Sequence, residues 1–422
     1  VKKILVVMFA SFLVTGILVG SVEAVVSKAK SACSKAGMTT TTSANQKLKC
    51  VKVGKKLIWI TIGTIPTPTA SPTPTASPTP AISKISFVTP LAPAGPNPLT
   101  WQNIESRALE VSAVAWQSTQ ETLKANSANG VTTSIKVIYA PNTSTSHYAG
   151  FEDQLRVGIQ LWNRFKLPKN STFLVYSYDE IPWAITTIAK ILTDSGLSED
   201  QAQSMAKNLA NAPYGGPECG GANSGMMIDT QGIGVFGLCA RNEGTDPYYN
   251  GPLQIHEFTH QMQSAQFVGT NLNSQQVLPC WISEGLAHAA GLTAGKHSLD
   301  DYLQVRRLQA SHPVLNVAGG HSSAPVDQSS MTSNFLTSYY SESSPPGCFS
   351  LPSYSLGYSA GFLTTEALAA IGGIESTLLL YSRTASGESF EEAFKNIYGI
   401  TWNEASGILA KVVSKEFASY NI

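Results

Sequence analysis

Helix-like and strand-like periods alternate through the middle of the chain. Apolar residues recur at helical spacing over 101–124, 151–165, 181–193 and 198–210. Two shorter runs, Ser134–Tyr139 and 172–176, are rich in β-branched and aromatic residues and read as strands. They bracket the second of these helices. A Gly-rich stretch, GGPECGGANSGMMID, follows with two short apolar runs ending at Cys239. From Leu253 onward nearly every segment reads as helix. This order predicts an α+β fold: a small mixed sheet in a first half, 86–250, and a mostly helical second half, 251–422, with a cleft between them.

Two features set the N-terminal part of the chain apart. Val1-Lys2-Lys3, an apolar run over 4–20 and Ser21-Val22-Glu23-Ala24 have the order of a secretory signal cleaved near Ala24, so residues 1–24 are expected to be removed. The alternative is an uncleaved anchor, since the run approaches the length of a membrane span. No later run is apolar for long enough to cross a bilayer, so the mature chain is expected to be secreted, with no membrane span. Between Ile65 and Pro80 the sequence PTPTASPTPTASPTP holds the backbone extended and removes donors, so 65–85 reads as a semi-rigid linker.

The linker separates a small module, 25–64, from the large region 86–422. Lys28, Lys30, Lys35, Lys47, Lys49, Lys52, Lys55 and Lys56 fall in the module, with no Asp or Glu. Its segment CVKVGKKLIW alternates like a hairpin. A unit this small needs a staple, for which Cys33 and Cys50 are placed. The module resembles short Cys-containing modules near the N-termini of exported actinobacterial proteins. Its charge suits an anionic cell-wall polymer, or is simply a solvated face.

Export also bears on the other cysteines, because thiols in an oxidising compartment pair. Nearest-neighbour pairing, Cys33–Cys50, Cys219–Cys239 and Cys280–Cys348, is the hypothesis among the fifteen connectivities that six cysteines permit. The last of these would tie together two segments that carry chemistry. Over the whole chain charged residues make up 13%, against roughly 25% in average soluble domains, and the formal net charge is zero. A polyanion partner for the whole chain is therefore not expected. Nucleic-acid chemistry has no support, because the basic cluster lies outside the large region.

His256-Glu257-Phe258-Thr259-His260 is a His-Glu-x-x-His signature. Asn250-Gly251-Pro252 supplies a helix start, and Leu253, Ile255, Phe258 and Met262 give that helix a buried side. Two histidines four apart point the same way and can share one ion. Glu257, beside the first, is placed to accept a proton from a metal-activated water. A catalytic zinc takes a third protein ligand. Gln266 stands where a third histidine would be needed for the three-histidine type, and Gln263 where its Gly would be, so that type is excluded. Glu284, in Trp281-Ile282-Ser283-Glu284-Gly285-Leu286-Ala287, is the candidate; its alternative is a surface acid capping the helix that follows. His288, one turn later, is either a ligand, a donor to a ligand or a packed core histidine.

With Glu284 at this distance in a Glu-Gly-x-Ala setting, residues 256–288 resemble the gluzincin metallopeptidases, the group of thermolysin-like enzymes and of aminopeptidase and leukotriene-hydrolase relatives. The resemblance implies a zincin fold, a Zn2+ ion on His256, His260 and Glu284, and Glu257 as general base in peptide hydrolysis. In the aminopeptidase relatives a Tyr in a Tyr-x-x-Gly setting donates to the tetrahedral oxyanion. Tyr354, with Gly357, matches it, and Tyr358 is the fallback. The Gly-x-Met-Glu-Asn strand that anchors a substrate amine is absent: Gly225-Met226-Met227-Ile228-Asp229 lacks that Glu and Asn, so aminopeptidase action is not implied, although the strand suits a peptide added at its edge. The expected activity is a secreted zinc metallopeptidase acting on peptides or proteins. The alternatives are a catalytically inactive zinc-binding adhesion protein and a zinc hydrolase of a non-peptide substrate.

Overall fold

The structure, a computed structural model, describes residues 32–33, 35–41, 46–53, 55–64, 86–93, 95–130, 133–143, 150–210, 221–227, 232–239, 251–310, 314–316, 323–343 and 352–419. The signal-like segment, the Pro/Thr-rich linker, and Cys219 and Cys348 lie outside them. The chain divides into two compact units, a small one within Val14–Ile85 and a large one that holds Ser86–Ile422.

In the small unit β1 (Thr39–Thr41), β2 (Gln46–Val53) and β3 (Lys56–Thr64) form an antiparallel sheet in that order. The expected hairpin is β2–β3. Alternation buries Leu48 and Cys50 against Trp59, and a Cys33–Cys50 disulfide closes this small core. So few buried side chains cannot offset chain entropy alone, which is why the cross-link matters here.

The large unit opens with turns over 101–107 and a 3₁₀ turn, Ala108–Glu110, before α1 (Val111–Asn126). A helix from 101 was expected. Its first residues are drawn instead onto the far end of the chain: the Trp101 indole N–H donates to the Tyr398 carbonyl at 3.1 Å, and its ring packs on Phe394 and Tyr398. Next come β4 (Ser134–Tyr139), α2 (Phe151–Trp162), β5 (Asn170–Tyr176), α3 (Ile181–Asp194), α4 (Glu199–Ala210), β6 (Gly221–Met227) and β7 (Ile233–Cys239). The sheet order is β4-β5-β7-β6. The first three strands run parallel, and β6 lies antiparallel at the edge. Helices cover β5 and β7 on both faces, which accounts for the wholly buried apolar run of β7. Cys239 at its end and Cys280 are disulfide-bonded, and neither pairs with another described cysteine.

Helices dominate the remainder: α5 (Pro252–Phe267), the single turn α6 (Ser274–Val277), α7 (Cys280–Gly295) and α8 (Leu299–Ala310). A two-stranded ribbon, β8 (Val314–Asn316) with β9 (Ser323–Pro325), interrupts them. Then follow α9 (Ser333–Glu342), a 3₁₀ segment Pro352–Tyr358, α10 (Ala360–Gly372), α11 (Ile374–Ala385), α12 (Phe390–Tyr398) and α13 (Trp402–Ser419). The mixed α+β class matches expectation. Among the described residues no single helix is long and apolar enough to cross a membrane.

Three helices meet at distances that only glycine allows. A Cβ on Gly285 of α7 would land on the Gly361 carbonyl oxygen of α10, and one on Gly291 would stand 2.5 Å from the Pro252 carbonyl oxygen of α5 and 3.2 Å from His256 Cβ. These contacts press α7 between α5 and α10, and so bring Glu284 up to the histidines. Gly285→Ala should therefore push α7 and α10 apart and lower the unfolding free energy by roughly 1–3 kcal/mol, the usual cost of overpacking. Denaturant titration of the variant against wild type measures it.

Candidate metal centre

Helix α5 carries the His-Glu-x-x-His residues. Its start matches the signals read from sequence: Pro252 stands in the first turn, and the Gly251 N–H donates to Gln254 Oε1 at 3.1 Å. Its burial differs from expectation. The four apolar positions mark one buried side, yet α5 is buried almost all round, including His256, Glu257, Thr259, Gln261 and Gln263. Several of these polar residues find partners within the core. Gln261 Oε1 accepts from the Ser171 hydroxyl of β5 at 2.6 Å and lies over Gly234 of β7, where a side chain would collide. On another side the Trp162 indole of α2 donates to Thr259 Oγ1 at 3.0 Å. Helix α5 is thereby pinned to sheet and neighbours before any ligand is considered.

Glu284 lies in α7, 1% exposed, so it is no surface cap. Its Oε2 stands 3.2 Å from His260 Nε2 and 3.4 Å from His256 Nε2, and the two Nε2 atoms are 3.1 Å apart. Three donor atoms at about 2.0–2.1 Å from one tetrahedral ion would stand about 3.3–3.4 Å from each other. The triangle has nearly those edges, so His256, His260 and Glu284 can hold a metal ion without rearrangement.

Hydrogen bonds behind the ligands set which nitrogen is free. The Gln263 side-chain amide donates to the Ser283 carbonyl at 2.8 Å, so its Oε1 faces His260 and accepts from Nδ1–H at 2.9 Å. The Nε2 of His260 is thus left toward the ion site. On the other ligand, His256 Nδ1 and His288 Nδ1 are 3.1 Å apart, and His288 Nε2 lies 3.4 Å from Gln309 Oε1. A chain in which His288 donates to Gln309 and accepts from His256 leaves His256 Nε2 free as well. His288 is then not a ligand but the group that orients one. His288→Ala is expected to weaken metal binding by roughly 10–100-fold without changing the one-to-one stoichiometry, as read by competition with a chromophoric chelator.

Tyr354, on the 3₁₀ segment, donates its hydroxyl to Glu284 Oε1, the oxygen turned away from the histidines. Gly357 makes this approach possible, since a Cβ there would stand 3.0 Å from Glu284 Cβ. Tyr358 lies parallel to the His256 ring, 6.2 Å between centroids, and meets His288 edge-on at 5.4 Å. The expected site residues Glu257, Tyr354, His256, His260 and Glu284 therefore gather in one place. Gln263 and Gln309 were missed. The first was read only as the lack of a Gly, although its position one turn after His260 is where an amide can reach the ligand's outer nitrogen.

Charge in this buried group is uneven. Burial holds the His256 pKa down at about 4 and that of His288 at about 3. Burial opposes charge on His260 too, but the Glu284 carboxylate outweighs it and pushes that pKa up to about 9. Glu284 itself, which burial alone would push up, is held well below the usual carboxylate range by the two histidines. In the metal-free protein one proton on His260 Nε2 thus sits among the three atoms, where a cation would sit. Burial, with help from Glu284, raises Glu257 to about 8. Comparison with protein-family models, with curated proteins and with solved structures gave no match.

Proposed function

We propose that the chain is a secreted zinc metallopeptidase with a zincin-type, gluzincin-like site. The observation that carries this reading is the His256–His260–Glu284 triangle with Glu257 on the same helix, one residue from the first ligand. Two imidazoles and one carboxylate, with no thiolate, are a donor set that suits zinc in a hydrolytic site. When bound, zinc supplies Lewis acidity: it polarises a carbonyl oxygen and makes water acidic enough to attack near neutral pH.

The rest belongs to side chains. Glu257 takes up the proton of the attacking water on its carboxylate and returns it to the leaving amine. A base with a pKa brought near the working pH does this best, and burial moves Glu257 in that direction. Gln263 and His288 keep each histidine in one tautomer, so that binding costs no reorganisation. Tyr354 gives its one O–H to Glu284 and holds that carboxylate in place, and burial, with the Glu284 charge beside it, raises its pKa well above the ordinary phenol range and keeps it neutral; a role as oxyanion donor would require it to release Glu284 during attack.

A mixed peptide library tests the proposal. Cleavage is expected that stops on chelation and returns with zinc, and the pattern of cuts reports endo- or exo-action. Zinc binding with no cleavage would favour an inactive adhesion protein. Chelator-sensitive turnover of non-peptide amides or esters alone would favour a different hydrolase.

A further inference from the structure

The small unit is a cationic surface wrapped around a hairpin. Strand alternation that buries Leu48 and Cys50 sends Lys47 and Lys49 to the opposite face of β2. Across the ladder Lys56 stands opposite Val53, on that same outer face. Lys52 follows Leu48 and Cys50 in the alternation, and so lies on the inner side at its end. Lys55 sits in the turn, and Lys35 in the loop after Cys33. All six are exposed. Acidic residues are absent from 25–64, and among the described residues none of these lysines forms an ion pair.

Six uncompensated ammonium groups point to an anionic partner, and their placement selects its shape. A flat lipid surface could meet only one face of the hairpin, whereas these lysines continue from the outer face round the tip to the inner side. A flexible chain can follow them. Single-stranded nucleic acid binders add aromatic platforms for bases, but Trp59, the one aromatic residue of 25–64, is buried in the small core. We propose that this hairpin docks a linear, base-free polyanion, held by charge alone.

Binding of the full chain to immobilised long-chain inorganic polyphosphate tests this. Retention is expected at low ionic strength and is expected to disappear near 0.5 M salt, where screening acts within about 4–5 Å. Lys47→Gln/Lys49→Gln on the outer face and Lys52→Gln/Lys55→Gln at the tip should each weaken binding, by roughly fivefold per lysine removed. Both double variants should keep the Cys33–Cys50 disulfide and the wild-type metal content, which separates lost binding from lost folding. Retention that survives 0.5 M salt, or an unchanged affinity in either double variant, would overturn the proposal. Binding to anionic phospholipid vesicles without binding to polyphosphate would replace it with membrane docking.

Discussion

Glu257→Gln is expected to slow peptide hydrolysis by roughly 10²–10⁴-fold, the range that a lost general base costs, while binding one metal ion as wild type does. The change is nearly isosteric, and the two histidines on the same helix keep their partners in Gln263 and His288. What the amide cannot do is accept a proton. Glu257 is buried and held near pKa 8 by desolvation, with Glu284 adding to the shift. A divalent cation in the triangle acts in the opposite direction and favours the carboxylate. The pair of measurements, turnover and metal content, separates a lost base from a lost site. Undiminished turnover in this variant would remove Glu257 from the mechanism.

Glu284→Gln should have the largest effect on the metal itself. It removes the one anionic ligand, and a direct ligand should cost more than the roughly 100-fold upper range seen for groups behind the ligands. The same carboxylate raises His260 to about 9. A raised folded-state pKa means that the folded, metal-free protein binds this proton more tightly than an unfolded chain would. Its contribution to stability is full below the ordinary value of 6.5 and is lost as pH rises through about 9. A metal ion must displace this proton, so wild-type affinity should climb about tenfold per pH unit up to about pH 9 and then level off. In Glu284→Gln the levelling should come at lower pH. Affinity titrations at several pH values measure both, and a wild-type affinity independent of pH between 6 and 9 would contradict the assigned proton.

The site was more legible than the fold around it. The four-residue histidine spacing can be read because one helical turn fixes the relation of the two side chains locally, whereas Glu284, on a separate helix, can be read only through the resemblance of its Glu-Gly-x-Ala segment. His288 could be read as a candidate but not resolved, since its role depends on Gln309 on another helix. Long-range anchoring hid other features. The expected helix over 101–124 starts at Val111 because Trp101 is tied to Tyr398, almost 300 residues away in sequence. Burial of α5 on every side was equally hidden, since a polar Gln261 reads as solvent-facing until Ser171, on a strand far away in sequence, is placed against its carbonyl oxygen. The same limit applies to Glu366 of α10 and Glu416 of α13, which share the buried Arg306 of α8. Three charges on three separate helices leave no local spacing to read.

X-ray absorption on the protein isolated with its metal addresses the central claim. The expected spectrum shows a zinc edge and about four nitrogen or oxygen neighbours at about 2.0–2.1 Å, with the signal lost from a His256→Ala/His260→Ala variant. Sulfur neighbours at about 2.3 Å, or full zinc retention in that variant, would place the metal elsewhere and contradict the centre described here.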